Sequence, residues 1–235
     1  MSAHLDDAVL SCGGRLDDRC TVATVFTGVP APGTPTGEWD RLTGASDSHQ
    51  RMLDRLDEDA QALGPLGCAV VYLGLLDSQY RGGPADLTLA IAQLADLLAA
   101  ATEVWLPAAI GGHPDHLAAR TAGLAALDGV GLWPQYYADI PYAVTDGWPD
   151  WVTDADPEPD PRESAAWIRA RFAATDVDTD RLRPVVHRLD HRQLRRKQAA
   201  IEEYVTQLPL LDQHCAGRLH DPATLGIELT WEAAP

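Results

Sequence analysis

Short, almost continuous apolar runs recur in the first half of the chain, and they predict buried β-strands. The runs cover residues 21–26, 68–73 and 103–107 and are rich in valine and aromatic residues. Apolar runs of this kind, bounded by glycine or proline, are typical of strands that are covered on both faces of a sheet.

Segments with helical spacing of apolar residues separate these runs. Amphipathic helices are predicted over 7–16, 48–63 and 85–100, and another begins near Pro114, a residue favoured in the first turn. Strands that alternate with helices favour a mostly parallel sheet with helices on both faces. We therefore expect an α/β fold, a Rossmann-like three-layer sandwich.

The remainder of the chain is less regular. Residues 28–37 are dense in proline and glycine and predict a loop. Residues 145–162, rich in aspartate, proline and tryptophan, predict a long excursion of the kind that is often functional. A last helix is predicted over 192–208.

The start of the chain is short for this fold. Only three residues precede His4, and three residues span about 10 Å at most, less than a usual strand. Either several residues precede this segment in the complete protein or the first strand is a stub, so the first strand is expected to be truncated. We expect one domain over 1–235, with a Rossmann-like core over about 1–140 and a substrate-pocket and helical part over about 141–235.

Composition and charge narrow the possible partners. Apolar residues make up 46% of the chain and charged residues 23%, with a net charge of −17. Phosphate backbones and anionic membranes repel such a surface, so neither nucleic acid nor a membrane is an expected partner. The sequence predicts neither a signal peptide nor a transmembrane helix, and we expect a cytoplasmic protein. The spacing of the four cysteines predicts reduced thiols rather than a disulfide framework.

The first polar cluster comprises His4, Asp6 and Asp7, placed where a strand would enter a helix. Ligands at this spacing make half of a plausible metal site, and the carboxyl edge of a parallel sheet is where such folds bind ligands. Taken alone, either aspartate could equally cap the following helix.

The second cluster is the segment Gly-Gly-His-Pro-Asp-His that ends at His116. The paired glycines permit an unusual loop, and Pro114 then starts a helix. His113 and His116 are three residues apart, so one can face a metal while the other faces a substrate. Helix capping by Asp115 beside incidental histidines is the alternative.

Together the two clusters carry more information than either alone. Both follow predicted strands of one sheet, so we expect them at the same edge. Two histidines and one carboxylate leave a fourth zinc position open for water, as catalytic zinc sites require. The sequence therefore predicts Zn²⁺ as the cofactor.

These motifs resemble those of the PIG-L (LmbE-like) deacetylases, His-Pro-Asp-Asp-Glu and His-Pro-Asp-His. Leu5 and Ala8 stand where that family has proline and glutamate. The likeness extends over most of the chain, through the segments 55–58, 73–77, 137–142 and 197–207.

The resemblance implies roles for the first cluster and its metal. His4, Asp7 and His116 would bind zinc, and Asp6 would be the general base.

It implies further roles around the substrate. His113 would stabilise the oxyanion or protonate the departing amine, Asp115 would tune His113, and Arg55 would contact the substrate. Some family members place a catalytic tyrosine two residues before the second motif, where this chain has Gly111.

The implied activity is removal of an N-acetyl group from a small glycoconjugate of the N-acetylglucosamine or another amino-sugar type. The form of the first motif is similar to the branch of antibiotic-tailoring deacetylases. The loop 28–37 with Trp148 and Trp151 could cover a bulky substrate, or the tryptophans could simply pack at the core edge. A zinc amidase acting on a thiol conjugate and a non-catalytic sugar-binding protein are the alternatives, and a homo-oligomer is possible.

Overall fold

Two groups of strands form the centre of the computed structural model, which describes residues 1–146, 148, 150–153, 161–172 and 177–233. One group is a parallel pair and the other is a four-stranded sheet in the order β3-β4-β6-β5. The strands are β1 Thr21–Thr24, β2 Ala69–Tyr72, β3 Val104–Pro107, β4 Pro134–Tyr137, β5 Leu182–Arg188 and β6 Ile227–Ala233. β1 pairs with β2 and β3 with β4 in parallel, while β6 runs antiparallel to both β4 and β5.

The N-terminal residues lie between the two groups of strands. Ser2 forms a parallel bridge with Thr24, and its amide donates to the carbonyl of Ala23 at 2.8 Å. On the other side, the amino group of Met1 donates to the carbonyl of Trp105 on β3 at 2.7 Å. The first strand is thus a stub of about one bridge, as predicted, and it places His4 at the carboxyl edge of the strands.

Eleven α-helices appear among the described residues. They are α1 Asp7–Cys12, α2 Glu38–Leu42, α3 Ser48–Leu63, α4 Thr88–Leu98, α5 Pro114–Ala126, α6 Tyr142–Thr145, α7 Asp150–Thr153, α8 Pro161–Arg171, α9 His191–Ile201, α10 Leu208–His214 and α11 Pro222–Leu225. Local sequence explains several helix starts. The Asp47 side chain accepts from two amides at the start of α3, and Asp190 with Gln193 forms a capping box at the start of α9.

Two hydrophobic clusters hold the elements together. The larger one packs α4 and α5 against β3, β4 and β6 around residues such as Leu106 and Trp231. The smaller one joins α1, α3, α9 and α10 around Val9, Leu63 and Ile201. All six residues of α1 are buried. Full burial of a large apolar side chain is worth about 1.5–3 kcal/mol, so the short α1 is held by tertiary packing.

The α/β fold and the strands and helices expected in the first half are confirmed, and α3 has the predicted bounds. The single helix expected over 192–208 is wrong, because α9 ends at Ile201 and α10 begins at Leu208. Pro209 cannot continue a helix from the preceding turn. The Tyr204 hydroxyl, in the break between the helices, donates to Asp59 on α3 at 2.8 Å.

The excursion expected over 145–162 also needs correction. It contains α7 and the start of α8, and residues 154–160 lie outside the described part of the chain. Trp148 is partly buried against both hydrophobic clusters. That position favours the core-edge interpretation of this tryptophan, and the side chain of Trp151 lies outside the description. Residues 28–37 contain no helix or strand, in agreement with the predicted loop.

Candidate functional site

A tight turn between the N-terminal stub and α1 presents the first cluster. The amide of His4 donates to Oδ2 of Asp7 at 2.7 Å, and the Ser2 hydroxyl donates to the carbonyl of His4 at 2.6 Å. His4, Asp6 and Asp7 are all buried. The turn fixes His4 and Asp7 beside each other.

The second cluster lies where β3 connects to α5. Gly111 and Gly112 have φ of 82° and 70°, the left-handed region that glycine enters without steric cost. The connection ends at Pro114 in the first turn of α5, and Nδ1 of His113 accepts from the amide of Asp115 at 3.2 Å. The loop brings His113 and His116 to the first cluster, as the sequence predicts.

His4 and His116 are each held by a buried carboxylate through one ring nitrogen. Nε2 of His4 lies 3.1 Å from Oδ2 of Asp115, and Nδ1 of His116 lies 2.6 Å from Oδ1 of Asp139. Such bonds fix the tautomer and orientation of metal-binding histidines. The opposite nitrogens, Nδ1 of His4 and Nε2 of His116, are therefore left to serve as ligand atoms.

Those two nitrogens flank the same carboxylate oxygen. Oδ2 of Asp7 lies 3.6 Å from Nδ1 of His4 and 3.3 Å from Nε2 of His116. Two ligand atoms of a tetrahedral zinc ion, each about 2.0–2.1 Å from the metal, are roughly 3.3 Å apart. The residues present thus fit a zinc ion held by His4, Asp7 and His116, although the assignment of these ligands stays a prediction.

Two other groups of donor atoms lie close by. Ring nitrogens of His4, His113 and His116 fall within 4.8 Å of one another, and so do donor atoms of His4, Asp77 and Asp115. The second group is less suited to a cation, because guanidinium groups of Arg55 and Arg81 already contact its two carboxylates.

The charges of the cluster are strongly interdependent. Burial opposes the charge on His4, but the bonds to Asp115 and Asp7 outweigh it and raise the pKa of His4 well above its usual range. Burial also opposes the charge on Asp7, yet His116 and His4 lower its pKa to about 2. Asp7 is accordingly an anion, the form that binds a metal.

Asp6 differs from its neighbour. Burial and the adjacent charge of Asp7 raise the pKa of Asp6, although Arg55 and His4 act in the opposite direction. A carboxylate with a raised pKa is a better proton acceptor at neutral pH. Nη2 of Arg55 lies 3.9 Å from Oδ2 of Asp6.

Arg55 lies between two carboxylates rather than in open solvent. Its other terminal nitrogen is 3.8 Å from Oδ2 of Asp77, and the residue is 5% exposed. The structure therefore places Arg55 where it can orient Asp6 and Asp77. Contact between Arg55 and a substrate stays a prediction.

Asp115 contacts residues on several elements around the site. Its carboxylate accepts from the amide of Ser78 at 2.9 Å, and it bonds to Arg81 and to His4. Its backbone amide donates to Nδ1 of His113, and its charge opposes the lowering of the His113 pKa by burial and by His4 and His116. Asp115 thus orients His4, and its tuning of His113 stays a prediction.

Sequence reasoning assigned no role to four residues that lie at the site. Asp139 follows β4 and also accepts from the amide of Ile110 at 3.0 Å. The other three are Asp77, Arg81 and Tyr142. The sequence could have indicated Asp77 and Asp139 as site residues. Asp77 lies a few residues after the predicted strand 68–73, and Asp139 lies just after β4.

Tyr142 packs its ring against two of the histidines. Its ring centroid is 5.3 Å from that of His116 and 6.2 Å from that of His113. A Cβ atom at Gly111 would lie 2.7 Å from Cδ1 of Tyr142, so the absence of a side chain there makes room for this ring. Among the described residues, none accepts a hydrogen bond from the Tyr142 hydroxyl.

A model of a known protein family matches the first half of the chain. The family model for PIG-L, described as GlcNAc-PI de-N-acetylase, matches residues 1–127. The chain belongs to the PIG-L family. The match contains both polar clusters, and it confirms the resemblance expected from the two motifs.

A curated relative matches more of the chain. A 2′-N-acetylparomamine deacetylase of Streptomyces fradiae is 32% identical over 168 residues, covering 61% of this chain and 56% of that relative. The chain therefore matches just over half of the length of this curated relative.

Solved structures are similar over nearly all of the PIG-L chain described here. An A40926 pseudoaglycone deacetylase is 29% identical, with a TM-score of 0.67 and coverage of 99% of this chain and 95% of that one. A zinc-inhibited form of teicoplanin deacetylase is 25% identical, with a TM-score of 0.69 and coverage of 99% and 96%. In the described part of this PIG-L protein, no helix has the length and apolarity needed to span a membrane.

Proposed function

We propose that this protein is a zinc-dependent hydrolase that removes the N-acetyl group from an amino-sugar conjugate of an antibiotic pathway. One observation carries the proposal. Two histidines, each oriented by its own buried carboxylate, flank the anionic Asp7 at the spacing of zinc ligands. The relatives in antibiotic pathways, which are named as deacetylases, support the same conclusion.

His4, Asp7 and His116 would hold the metal. A zinc ion bound there would lower the pKa of water to about 7 and polarise the acyl carbonyl group. Three protein ligands leave a position for water and substrate, as hydrolysis requires.

Asp6 is the proposed general base. Its side chain is buried next to Asp7, and its pKa is raised, first by burial and then by the charge of Asp7. Asp6 would take a proton from the attacking water while the water oxygen bonds to the acyl carbon. General base catalysis of this kind contributes roughly 10²–10⁴-fold.

His113 is the first proposed donor to the developing oxyanion. Because Nδ1 accepts the amide hydrogen of Asp115, the neutral ring carries its hydrogen on Nε2. The ring can then donate a hydrogen bond, whereas protonation of Nδ1 would break the capping bond. Proton delivery to the amine is therefore assigned to Asp6, which returns the proton it accepted as the C–N bond breaks.

Tyr142 is the second proposed donor. Its ring packs against both His113 and His116, and its hydroxyl is free of hydrogen bonds to the described residues. A hydroxyl in this position could donate to the carbonyl oxygen of a bound acyl group. One such donor is typically worth roughly 10²–10³ in rate.

The substrate class follows from the relatives and the chemistry together. The relatives are named as deacetylases of 2′-N-acetylparomamine, of the A40926 pseudoaglycone and of teicoplanin, and an N-acylated amino sugar is the substrate unit that suits such a reaction. We propose that substrate unit for this protein. The loop over 28–37 is held near the site by a bond from the Gly28 amide to the carbonyl of Leu75 at 2.8 Å, and it is the proposed contact for the remainder of the conjugate.

A product assay tests the proposal. Zinc-loaded protein is incubated with N-acetylglucosamine, an N-acetylated aminoglycoside and an N-acetylglucosaminyl glycopeptide, and acetate and free amine are measured. We expect equal amounts of both products from at least one conjugate, and roughly 10²–10⁴-fold slower release from Asp6→Asn with unchanged zinc content. Cleavage of a thiol conjugate without acetate would support the amidase alternative. Sugar binding without any product would support the non-catalytic one.

A further inference from the structure

Two cysteines stand opposite each other at the start of the parallel pair β1 and β2. Cys20 precedes Thr21 and Cys68 precedes Ala69, and Thr21 and Ala69 are register partners. The pairing continues to the cysteines, because the amide of Ala69 donates to the carbonyl of Cys20 at 3.0 Å. Adjacent strands are about 4.8 Å apart, within the Cα separation of about 4.4–6.8 Å that a disulfide needs.

The thiols of Cys20 and Cys68 both lie close to Asp17. Sγ of Cys20 lies 3.6 Å from Oδ1 of Asp17, and Sγ of Cys68 lies 3.4 Å from the backbone carbonyl of Asp17. Opposed residues of a parallel pair project to the same face of the sheet. The two thiols therefore share one face and one neighbour.

The pair is also more accessible than the other two cysteines. Cys20 and Cys68 are partly buried, whereas Cys12 and Cys215 are 4% and 0% exposed. All four thiols are free in the structure. A small disulfide reagent can thus reach the pair while the protein stays folded.

We propose that Cys20 and Cys68 form a dithiol site that closes reversibly to an intrachain disulfide. The oxidant is a low-molecular-weight disulfide. The thiolate of one cysteine attacks it and releases one thiol, and the second cysteine then displaces the other. Two protein thiols and one small disulfide become one protein disulfide and two small thiols.

The reaction is expected to be slow at neutral pH. Burial, the neighbouring thiol and Asp17 raise the pKa of Cys68 to about 11, while Arg196 acts in the opposite direction. Burial likewise raises the pKa of Cys20, with Asp17 and Arg19 as its charged neighbours. Because the thiolate is the nucleophile, oxidation should accelerate as pH rises.

Closure would join the two strands at the end that lies away from His4. The bond closes a loop that contains α2, α3 and Arg55. It should therefore raise the melting temperature by roughly 5–10 °C, as expected for a disulfide that closes a long loop in a chain of this size. The site at the opposite edge should keep its zinc content and turnover, so this inference stands independently of the proposed function.

The test uses the full chain incubated with oxidised glutathione at neutral and mildly alkaline pH. We expect the loss of two hydrogen masses, a peptide map that links Cys20 to Cys68, and faster formation at the higher pH. The melting temperature should rise and return after reduction. Cys20→Ser and Cys68→Ser should each abolish the rise in melting temperature. The control Cys215→Ser should keep it.

Three results would overturn the inference. They are a stable glutathione adduct on either cysteine without closure, a link that involves Cys12 or Cys215, and a full count of free thiols after prolonged oxidation at both pH values. Because the readouts are mass and melting temperature, an inactive deacetylase would not affect the outcome.

Discussion

Oδ1 of Asp139 lies 2.6 Å from Nδ1 of His116, and both residues are almost completely buried. Asp139 follows β4, and the amide of the next residue, Ile140, donates to the Ser11 hydroxyl on α1 at 3.1 Å. The bond between Asp139 and His116 thus connects the end of β4 to α5, close to α1. It directs Nε2 of His116 toward Asp7, where the metal is expected.

Replacement of Asp139 by asparagine tests that bond. We expect Asp139→Asn to weaken zinc affinity by roughly 10–100-fold, the usual cost of losing a carboxylate that orients a histidine ligand. Competition with a chromophoric chelator measures the effect. The exposed Asp128, two residues beyond α5, provides the matched control, and equal affinities for Asp139→Asn and Asp128→Asn would contradict the assigned role.

Asp6→Asn separates proton transfer from metal binding. The amide has nearly the shape of the carboxyl group but accepts no proton, so kcat should fall by roughly 10²–10⁴-fold. Zinc content should not change, because Asp6 is not a proposed ligand. Steady-state kinetics with metal analysis of the same sample make the comparison, and a variant with wild-type kcat would remove Asp6 from the mechanism.

Tyr142→Phe removes one hydroxyl and keeps the ring against His116. We expect kcat to fall by roughly 10²–10³-fold with a small change in KM, because the lost bond forms mainly to the oxyanion. Tyr136→Phe is the control, since the Tyr136 ring packs against Phe172 in the core. If the two variants have the same kcat, Tyr142 is a packing residue only.

A buried carboxyl group next to the site predicts a pH-dependent stability. Burial raises the pKa of Asp59 from 3.8 to about 7, although the hydroxyls of Tyr204 and Tyr72 donate to it. The folded state binds the Asp59 proton more tightly than the unfolded chain does, so protonation of Asp59 stabilises the fold. This stabilisation is complete below pH 3.8. It is lost as pH rises through about 7. Protonation of Asp59 thus contributes up to about 4 kcal/mol to the free energy of unfolding.

Asp59→Asn should remove this part of the pH dependence. Urea unfolding between acidic and mildly alkaline pH would show a wild-type free energy of unfolding that declines relative to the variant as pH rises. Parallel curves for the two proteins would mean that Asp59 titrates alike in the folded and unfolded states.

The sequence predicted the elements whose patterns are local. The apolar runs of β1, β2 and β3 and the stripe of α3 are legible without tertiary information. Both polar clusters were placed correctly at one edge, because a parallel arrangement brings the strand ends together.

Other features depend on distant contacts. The role of Asp139 depends on its hydrogen bond to His116, 23 residues away in the sequence. The contact of the Tyr142 ring with the histidines depends on the glycine at 111. The break after α9 reflects Pro209 and the side chains that turn back to α3. Such relationships leave no periodic signal, so only the folded structure reveals them.

Zinc binding to the purified full chain tests the central claim most directly. A calorimetric titration of metal-free protein should show one tight zinc site per chain, lost in His116→Ala and retained in His220→Ala, whose side chain is exposed. Absence of a tight site in the wild-type protein, or equal binding by His116→Ala, would contradict the metal centre and the hydrolytic mechanism built on it.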